Sequence, residues 1–251
     1  MKAFKLLMMA LLLSGAVACN KYGTLRRVGD SPGGNFSNGN AANLIAGSLA
    51  VNSNGVAIVS SNVAFSSQSL ADQHLPCGTT KKDTVNQQSA AGASATYSYM
   101  STFSYTLNCN NSNQPDNTAT SSVYNGSYSN ANYSSTNSGS IIFTTSGLAP
   151  TSTQSVVNGE FKQAGTFQSK TTTTNTGTHS IDIVLQNLTF TKATCKIASG
   201  NATISVTGSS PNQGSFNYTG TLTFNGDNTA TLVLNSVTYK IDLITGISTK
   251  I

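Results

Sequence analysis

The residues with the clearest chemical potential stand close together at Asp72, His74 and Cys77. A carboxylate, an imidazole and a thiol at this spacing could ligate a metal ion or pair a nucleophile with its base. Zinc takes three or four such ligands, and the only other histidine, His179, lies far along the chain. A cysteine in a structural disulfide, with a histidine beside it in a loop, explains these three residues better than a metal or Cys-His site does. We therefore predict no metal site and no cofactor.

A hydrolytic active site has little more support in the sequence than a metal site has. A Ser-His-Asp triad could be built in so serine-rich a chain, but no Gly-x-Ser-x-Gly sequence marks its nucleophile. Paired carboxylates for glycoside hydrolysis are harder to assemble, because Glu160 is the only glutamate and Asp182, Asp227 and Asp242 have no local acidic partner. We predict no catalytic residue, and a hydrolase with an unrecognised site remains an alternative.

The charge distribution argues against a nucleic-acid partner. The chain has 13 Lys and Arg against 8 Asp and Glu, a formal net charge of +5. Five of the basic residues precede position 28, so the rest of the chain is neutral, whereas nucleic-acid binding needs a basic face on the domain itself. Those five are Lys2, Lys5, Lys21, Arg26 and Arg27. No phosphate-binding loop or dinucleotide fingerprint is present either.

The N-terminus carries the most specific pattern in the chain. Lys2 and Lys5 precede an apolar run, Leu6–Leu13, which is too short to span a bilayer, and small residues follow it. These features predict a secretory signal peptide over residues 1–18. The run Ala16-Val17-Ala18-Cys19 resembles the lipobox of bacterial lipoproteins, and the resemblance implies that Cys19 is lipidated and becomes the first residue of the mature chain. The open alternative is an ordinary signal peptide followed by a plain thiol.

The same resemblance implies a location. Asn20 follows the lipid site, whereas aspartate at that place retains many lipoproteins in the inner membrane, so an outer-membrane location is expected. No acidic run follows Cys19, which favours the periplasmic face. The expected partner is the membrane itself, reached through the lipid on Cys19, since two or three acyl chains anchor a protein stably where one would not.

Beyond the lipid site, composition divides the chain into two parts. Residues 19–42 lack apolar periodicity and contain turn formers such as Ser31-Pro32-Gly33-Gly34, which predicts a flexible tether. Residues 43–251 are predicted to form one β-domain. Alternating segments recur there and helical periodicity does not, as in residues 97–107, where Tyr and Phe alternate with Ser and Thr.

The C-terminal third predicts an antiparallel meander. Residues 216–224, 230–234 and 237–243 alternate apolar and polar, with Asn225-Gly226-Asp227-Asn228 as a tight turn between the first two. Similar stretches cover 140–146, 156–169, 178–190 and 193–207. Many sequential strands leave exposed edges, which closure or sheet packing would remove. The predicted fold class is all-β, an antiparallel meander curled into a barrel-like or sandwich domain.

With Cys19 lipidated, three cysteines remain. Cys77 and Cys109 both lie at expected strand ends, and we predict that they form a disulfide worth roughly 3 to 4 kcal/mol on the chain-entropy model. Cys195 shares a face with Ile197 in an alternating segment, which predicts a small buried side chain.

One segment suggests a binding surface. Tyr124, Tyr128 and Tyr133 punctuate a run of Ser, Asn, Thr and Gly, and exposed tyrosines suit a glycan or an envelope protein as partner. The alternative is that the three rings hold a long loop or short strands against the domain.

The last strands also resemble segments of uncharacterised β-rich envelope lipoproteins of Gram-negative bacteria, through Gly220–Asp227, Ala230–Leu232 and Tyr239–Leu243. That resemblance implies a fold and no activity. The leading functional hypothesis is a non-catalytic, lipid-anchored envelope protein with a binding or structural role. The alternatives are a lipocalin-like carrier of an apolar ligand and the hydrolase.

Overall fold

The computed structural model describes residues 36–171, 175–211 and 213–251. The predicted signal peptide and Cys19 lie outside these residues. The described chain begins with two helices, α1 (Asn38–Leu49) and α2 (Val56–Asp72), joined by a short 3-10 turn at Val51–Ser53. Eleven strands follow in one antiparallel sheet, each hydrogen-bonded to the next in sequence.

From residue 154 to residue 243 the strand bounds agree with the alternating segments of the sequence to within three residues, whereas the strand predicted at 140–146 begins seven residues earlier, at Tyr133. The strands are β1 (Thr80–Gln88), β2 (Thr96–Cys109), β3 (Pro115–Ser129), β4 (Tyr133–Ser146), β5 (Gln154–Ser169), β6 (Thr176–Thr191), β7 (Lys196–Ser210), β8 (Gly214–Phe224), β9 (Thr229–Leu234), β10 (Val237–Asp242) and β11 (Ser248–Lys250). The predicted antiparallel meander is confirmed.

The sheet curls around the helices without closing. α1 contacts β4 and β9–β11, while α2 contacts β2–β5 and β7. Eleven strands laid flat would span roughly 48 Å, and a helix is only about 10 Å across, so one helix pair reaches both halves only if the sheet wraps around it. We call the face against the helices the inner face. Among the described residues, β1 and β11 remain at the two edges and do not pair with each other.

The helices are a correction to the sequence analysis, which predicted a tether up to residue 42 and no helix. Ser37 caps α1 by accepting a hydrogen bond from the Asn40 N–H at 3.2 Å, and Ala41 and Ala42 are already fully buried. α1 is buried on most sides, so it has no polar face and its sequence shows no amphipathic period. The helical period of apolar residues is absent from the sequence because the sheet and α2 cover most sides of α1.

A glycine holds the two helices close together. A Cβ at Gly55, the residue that precedes α2, would lie 2.5 Å from the Ser48 carbonyl oxygen and 2.6 Å from the Leu49 carbonyl carbon. Only glycine permits this approach between the end of α1 and the start of α2. The connection therefore folds back tightly enough for both helices to fit inside the sheet.

Four aromatic rings on the inner face lie over glycines of the adjacent strand. In each cross-strand pair an aromatic residue stands directly opposite a glycine, and a Cβ on that glycine would overlap the ring. The space that the missing side chain leaves lets each ring lie flat against the neighbouring strand, an arrangement known to stabilise sheets. The pairs are Tyr99 with Gly126, Tyr124 with Gly139, Phe167 with Gly177 and Phe216 with Gly208.

Candidate functional site

The three tyrosines predicted as a binding surface lie on the inner face. Tyr124, Tyr128 and Tyr133 are 8%, 3% and 2% exposed. Tyr124 covers Gly139, and Tyr128 packs against α1 where Gly47 leaves room for its ring. The prediction of an exposed surface is therefore wrong, and the alternative holds: the rings fix β3 and β4 onto the core.

These phenols are satisfied inside the protein. The Tyr124 hydroxyl donates to the Lys162 carbonyl oxygen at 2.8 Å, and the Tyr99 hydroxyl accepts from Asn137 Nδ2 at 3.0 Å. Burial raises the pKa of Tyr99 and Tyr133 to about 12 each, and it also raises the pKa of Tyr124 and Tyr128. The burial of these rings, and the packing of Tyr124 and Tyr128 against Gly139 and Gly47, indicate a structural role.

The structure separates the residues of the Asp72, His74 and Cys77 group. Cys77 is bonded to Cys109 with an S–S distance of 2.10 Å, which confirms the predicted disulfide and removes the thiol as a nucleophile. Asp72 and His74 are exposed, and His74 has a left-handed backbone just beyond the end of α2. Asp72 accepts a hydrogen bond from Gln68 Nε2 at 2.8 Å. Within the described residues, no group of three or more His, Cys, Asp or Glu could hold a metal ion.

His179 is buried on the inner face of β6. Its Nε2 lies 3.5 Å from Gln163 Nε2, its ring packs near Phe167, and its Nδ1 has no hydrogen-bond partner in the described structure. Burial lowers its pKa to about 4, so the imidazole is neutral at physiological pH. Asp182 is an odd number of residues along the same strand, so its side chain points to the opposite face, where it lies 3.8 Å from Lys162 Nζ. This arrangement is not that of a Ser-His-Asp triad.

Cys195 is exposed, contrary to the prediction that it is a small buried side chain. It lies in the turn between β6 and β7 with a φ of 53°. Its N–H donates to the Thr191 carbonyl oxygen at 2.8 Å, which closes the turn. The strand that should have buried it begins one residue later, at Lys196.

A cleft of about 420 Å³ lies between α2 and the ends of β5 and β6. We call it the Phe65 cleft, after the α2 residue at its mouth, whose ring is 65% exposed. Ala64 and Phe190 provide a buried apolar floor. The full lining consists of Ser61, Ala64, Phe65, Gln68, Ser69, Asp72, Gln73, Ser155, Phe190, Thr191, Lys192 and Cys195.

Polar groups surround this apolar floor. Lys192 Nζ donates to the Ala149 carbonyl oxygen at 3.0 Å, and burial lowers the pKa of Lys192, with Asp72 opposing that shift. Gln68 Nε2 donates to Asp72 Oδ1, while Gln68 Oε1 is buried without a partner in the described structure. The cleft thus combines an apolar interior with an ammonium, a carboxylate and a free amide acceptor, a composition typical of small-molecule sites.

The sequence analysis did not identify Phe65. A single phenylalanine among Ala, Ser and Asn carries no periodic signal, and its exposure depends on how α2 sits within the sheet. Part of the cleft lining comes from α2 itself, and the rest, including Phe190, comes from segments far along the chain. No local pattern could have brought Phe65 and Phe190 together.

Comparisons with known protein families, with curated proteins and with solved structures find no match to this chain. Neither of the two described helices is long and apolar enough to cross a membrane.

Proposed function

We propose that this protein is a lipid-anchored bacterial envelope protein with a non-catalytic binding role, and that the Phe65 cleft is its binding element. One observation carries the second part of the proposal: a largely exposed phenylalanine stands at the mouth of a cleft of about 420 Å³. Ligand pockets typically measure about 300 to 1,000 Å³ and combine an apolar lining with a few polar groups. A large aromatic ring at the mouth of a concavity adds apolar contact area for a ligand.

The ligand that fits is amphipathic. Its apolar part would contact Phe65, Ala64 and Phe190, and its polar part would meet Lys192 and Asp72 at the rim. The two helices occupy the interior that a lipocalin uses for its ligand. Binding of an apolar molecule is therefore assigned to the margin between helix and sheet, and not to the centre of a barrel.

The cleft can be tested with dansylundecanoic acid, a fluorescent amphiphile, added to the purified protein. We expect saturable enhancement of its emission, and Phe65→Ser should weaken binding at least about tenfold, which corresponds to 1.4 kcal/mol. The matched control is Val123→Ser, since Val123 is also 65% exposed but lies on the outer face of β3. If the two variants lost affinity equally, or if binding did not saturate, the Phe65 cleft would not be the binding site of the amphiphile.

Cys195 provides a second readout, because it lines the Phe65 cleft and is the free cysteine of the described chain. Bound dansylundecanoic acid should slow alkylation of Cys195 by iodoacetamide in the wild type and not in Phe65→Ser. An unchanged alkylation rate at saturating probe would place the amphiphile elsewhere.

The anchor is tested separately by fractionating cells that express Cys19→Ala. Two or more acyl chains hold a protein at a membrane, so removing their attachment site should move the protein from the membrane fraction to the soluble fraction. Cys195→Ala is the matched control and should stay with the membrane. If Cys19→Ala fractionates like the wild type, the lipid anchor is disproved and the cleft proposal is unaffected.

A further inference from the structure

The edge strand β1 presents an open row of backbone groups. Among the described residues, its only neighbour in the sheet is β2. The Ser89 N–H donates to the Tyr97 carbonyl oxygen and the Leu107 N–H to the Thr79 carbonyl oxygen, each at 3.0 Å. Bonded pairs alternate along an antiparallel ladder, so the odd-numbered residues of this strand bond to β2. The N–H and C=O groups of even-numbered Thr80, Lys82, Thr84, Asn86 and Gln88 therefore point away from the sheet.

This edge lacks most of the features by which proteins block strand pairing. β1 has nine residues, no proline and no bulge in its register with β2, and most of its residues are exposed. Lys81 and Lys82 protect one end, since lysines on an edge discourage pairing. The other end carries only uncharged amides, at Asn86, Gln87 and Gln88. A long, straight and exposed edge of this kind is a template for another strand.

We propose that β1 pairs antiparallel with β1 of a second copy of this chain, about a two-fold axis at Thr84. In that register the outward-pointing residues meet one another: Thr84 faces Thr84, and Lys82 faces Asn86. The lysine end of each strand then lies beside the amide end of the other, where ammonium groups can donate to amide oxygens. Parallel pairing in register would instead place lysine against lysine, which is unfavourable.

The side chains on the inner face of β1 are compatible with this antiparallel pairing. Asp83 would stand opposite Val85 of the second copy, and each Asp83 has Lys81 two positions away on its own strand to offset its charge. A groove of about 200 Å³ runs between β1 and α2, and Val85 and Phe65 both line it. The exposed Phe65 ring thus gives an added strand an apolar contact beneath the paired edges.

Cross-linking in membranes tests the register. Thr84→Cys is introduced into a Cys195→Ser parent and treated with a short bis-methanethiosulfonate. The paired strands would place the two Thr84 positions about 5 Å apart, one strand spacing. Thr102→Cys is the matched control, because Thr102 is exposed directly opposite Thr84 on β2 and would lie about 14 Å from its copy, three strand spacings. We expect at least about tenfold more cross-linked dimer from Thr84→Cys than from Thr102→Cys or the parent.

A second variant tests the open backbone edge directly. Thr84→Pro removes an outward N–H and none of the backbone hydrogen bonds between β1 and β2, and proline is tolerated at such edge positions. It also removes the exposed side-chain hydrogen bond between Thr84 Oγ1 and Thr102 Oγ1 at 3.3 Å. The wild type should sediment as a dimer and Thr84→Pro as a monomer with an unchanged circular dichroism spectrum. The proposal is overturned if the wild type sediments as a monomer, if the two cysteine variants cross-link equally, or if Thr84→Cys cross-links to a different protein. Phe65 lines both the cleft and the groove beside β1, so the two proposals are separated by Thr84→Pro, which should lose the dimer and still bind dansylundecanoic acid.

Discussion

The inner sides of β3 and β6 face the same pair of helices with opposite chemistry. In β3 the buried inner positions include Thr118, Thr120 and Ser122. In β6 they include Ile181, Ile183 and Leu185. Both rows are almost completely removed from water, so a buried face alone does not decide which residue types a strand carries.

The two strands are stabilised in different ways. An aliphatic row gains free energy simply by leaving water, roughly in proportion to the apolar area buried. A hydroxyl row gains only where each group finds a partner, because an unpaired buried hydroxyl costs about 1 to 3 kcal/mol. Thr118 Oγ1 donates to Ser67 Oγ on α2 at 2.5 Å, whereas Thr120 Oγ1, two positions away, has no partner in the described structure. The comparison predicts that β6 tolerates truncation poorly and that β3 tolerates apolar replacement at selected positions.

The largest expected effect is in β6. Ile183→Ala should reduce the free energy of unfolding by about 2 to 5 kcal/mol, since Ile183 is fully buried and its loss leaves a cavity. Val184→Ala on the outer face is the control and should cost less than about 1 kcal/mol. Chemical denaturation measures both. Similar losses from the two would show that the inner row of β6 does not carry the stability assigned to it.

An intermediate effect comes from the one titratable group on the inner face of β6. The pKa of His179 is lowered to about 4 in the folded protein, so the unfolded chain, with an ordinary value of about 6.5, takes up the proton first as pH falls. Stability should therefore be constant above about pH 7 and fall by about 2 kcal/mol between pH 7 and pH 5. His179→Gln should flatten that part of the pH profile. His74→Gln, at an exposed position, should leave it unchanged, and a profile insensitive to His179→Gln would contradict the assignment.

The smallest effect distinguishes two neighbours within β3. Thr120→Val replaces an unpaired hydroxyl by a methyl group of similar size and should leave stability unchanged or raise it by up to about 1 kcal/mol. Thr118→Val should lower it by about 1 kcal/mol or more, because the hydroxyl of Ser67 loses its partner. Denaturation midpoints compare the two directly. If both variants changed stability in the same direction, hydrogen bonding would not explain the polar inner side of β3.

The contrast between apolar and polar inner faces also explains which strands could be predicted from the sequence. Strands β8 to β10 carry aliphatic and aromatic residues at alternate positions, and their bounds agree with the prediction to within one or two residues. In β3 most residues on both faces are polar, so the sequence does not show which face is buried. The burial of Tyr124 and Tyr128 could therefore not be predicted from the pattern. α1 was missed because a helix that is buried on most sides has no polar face to mark its period. α2 was missed because its buried face includes Ser60 and Ser67 while its exposed face carries Phe65.

By itself the sequence determined the alternation that produces the antiparallel meander and the neutrality of residues 28–251, because alternation and charge can be read along the chain. It predicted the Cys77–Cys109 disulfide, which the structure confirms. It also predicts the lipid site at Cys19. Only the tertiary structure decided that the sheet wraps around two helices, that the tyrosines are buried, and that Phe65 meets Phe190 at a cleft. These features depend on which strands and helices pack together across the whole chain, and no single segment encodes that arrangement.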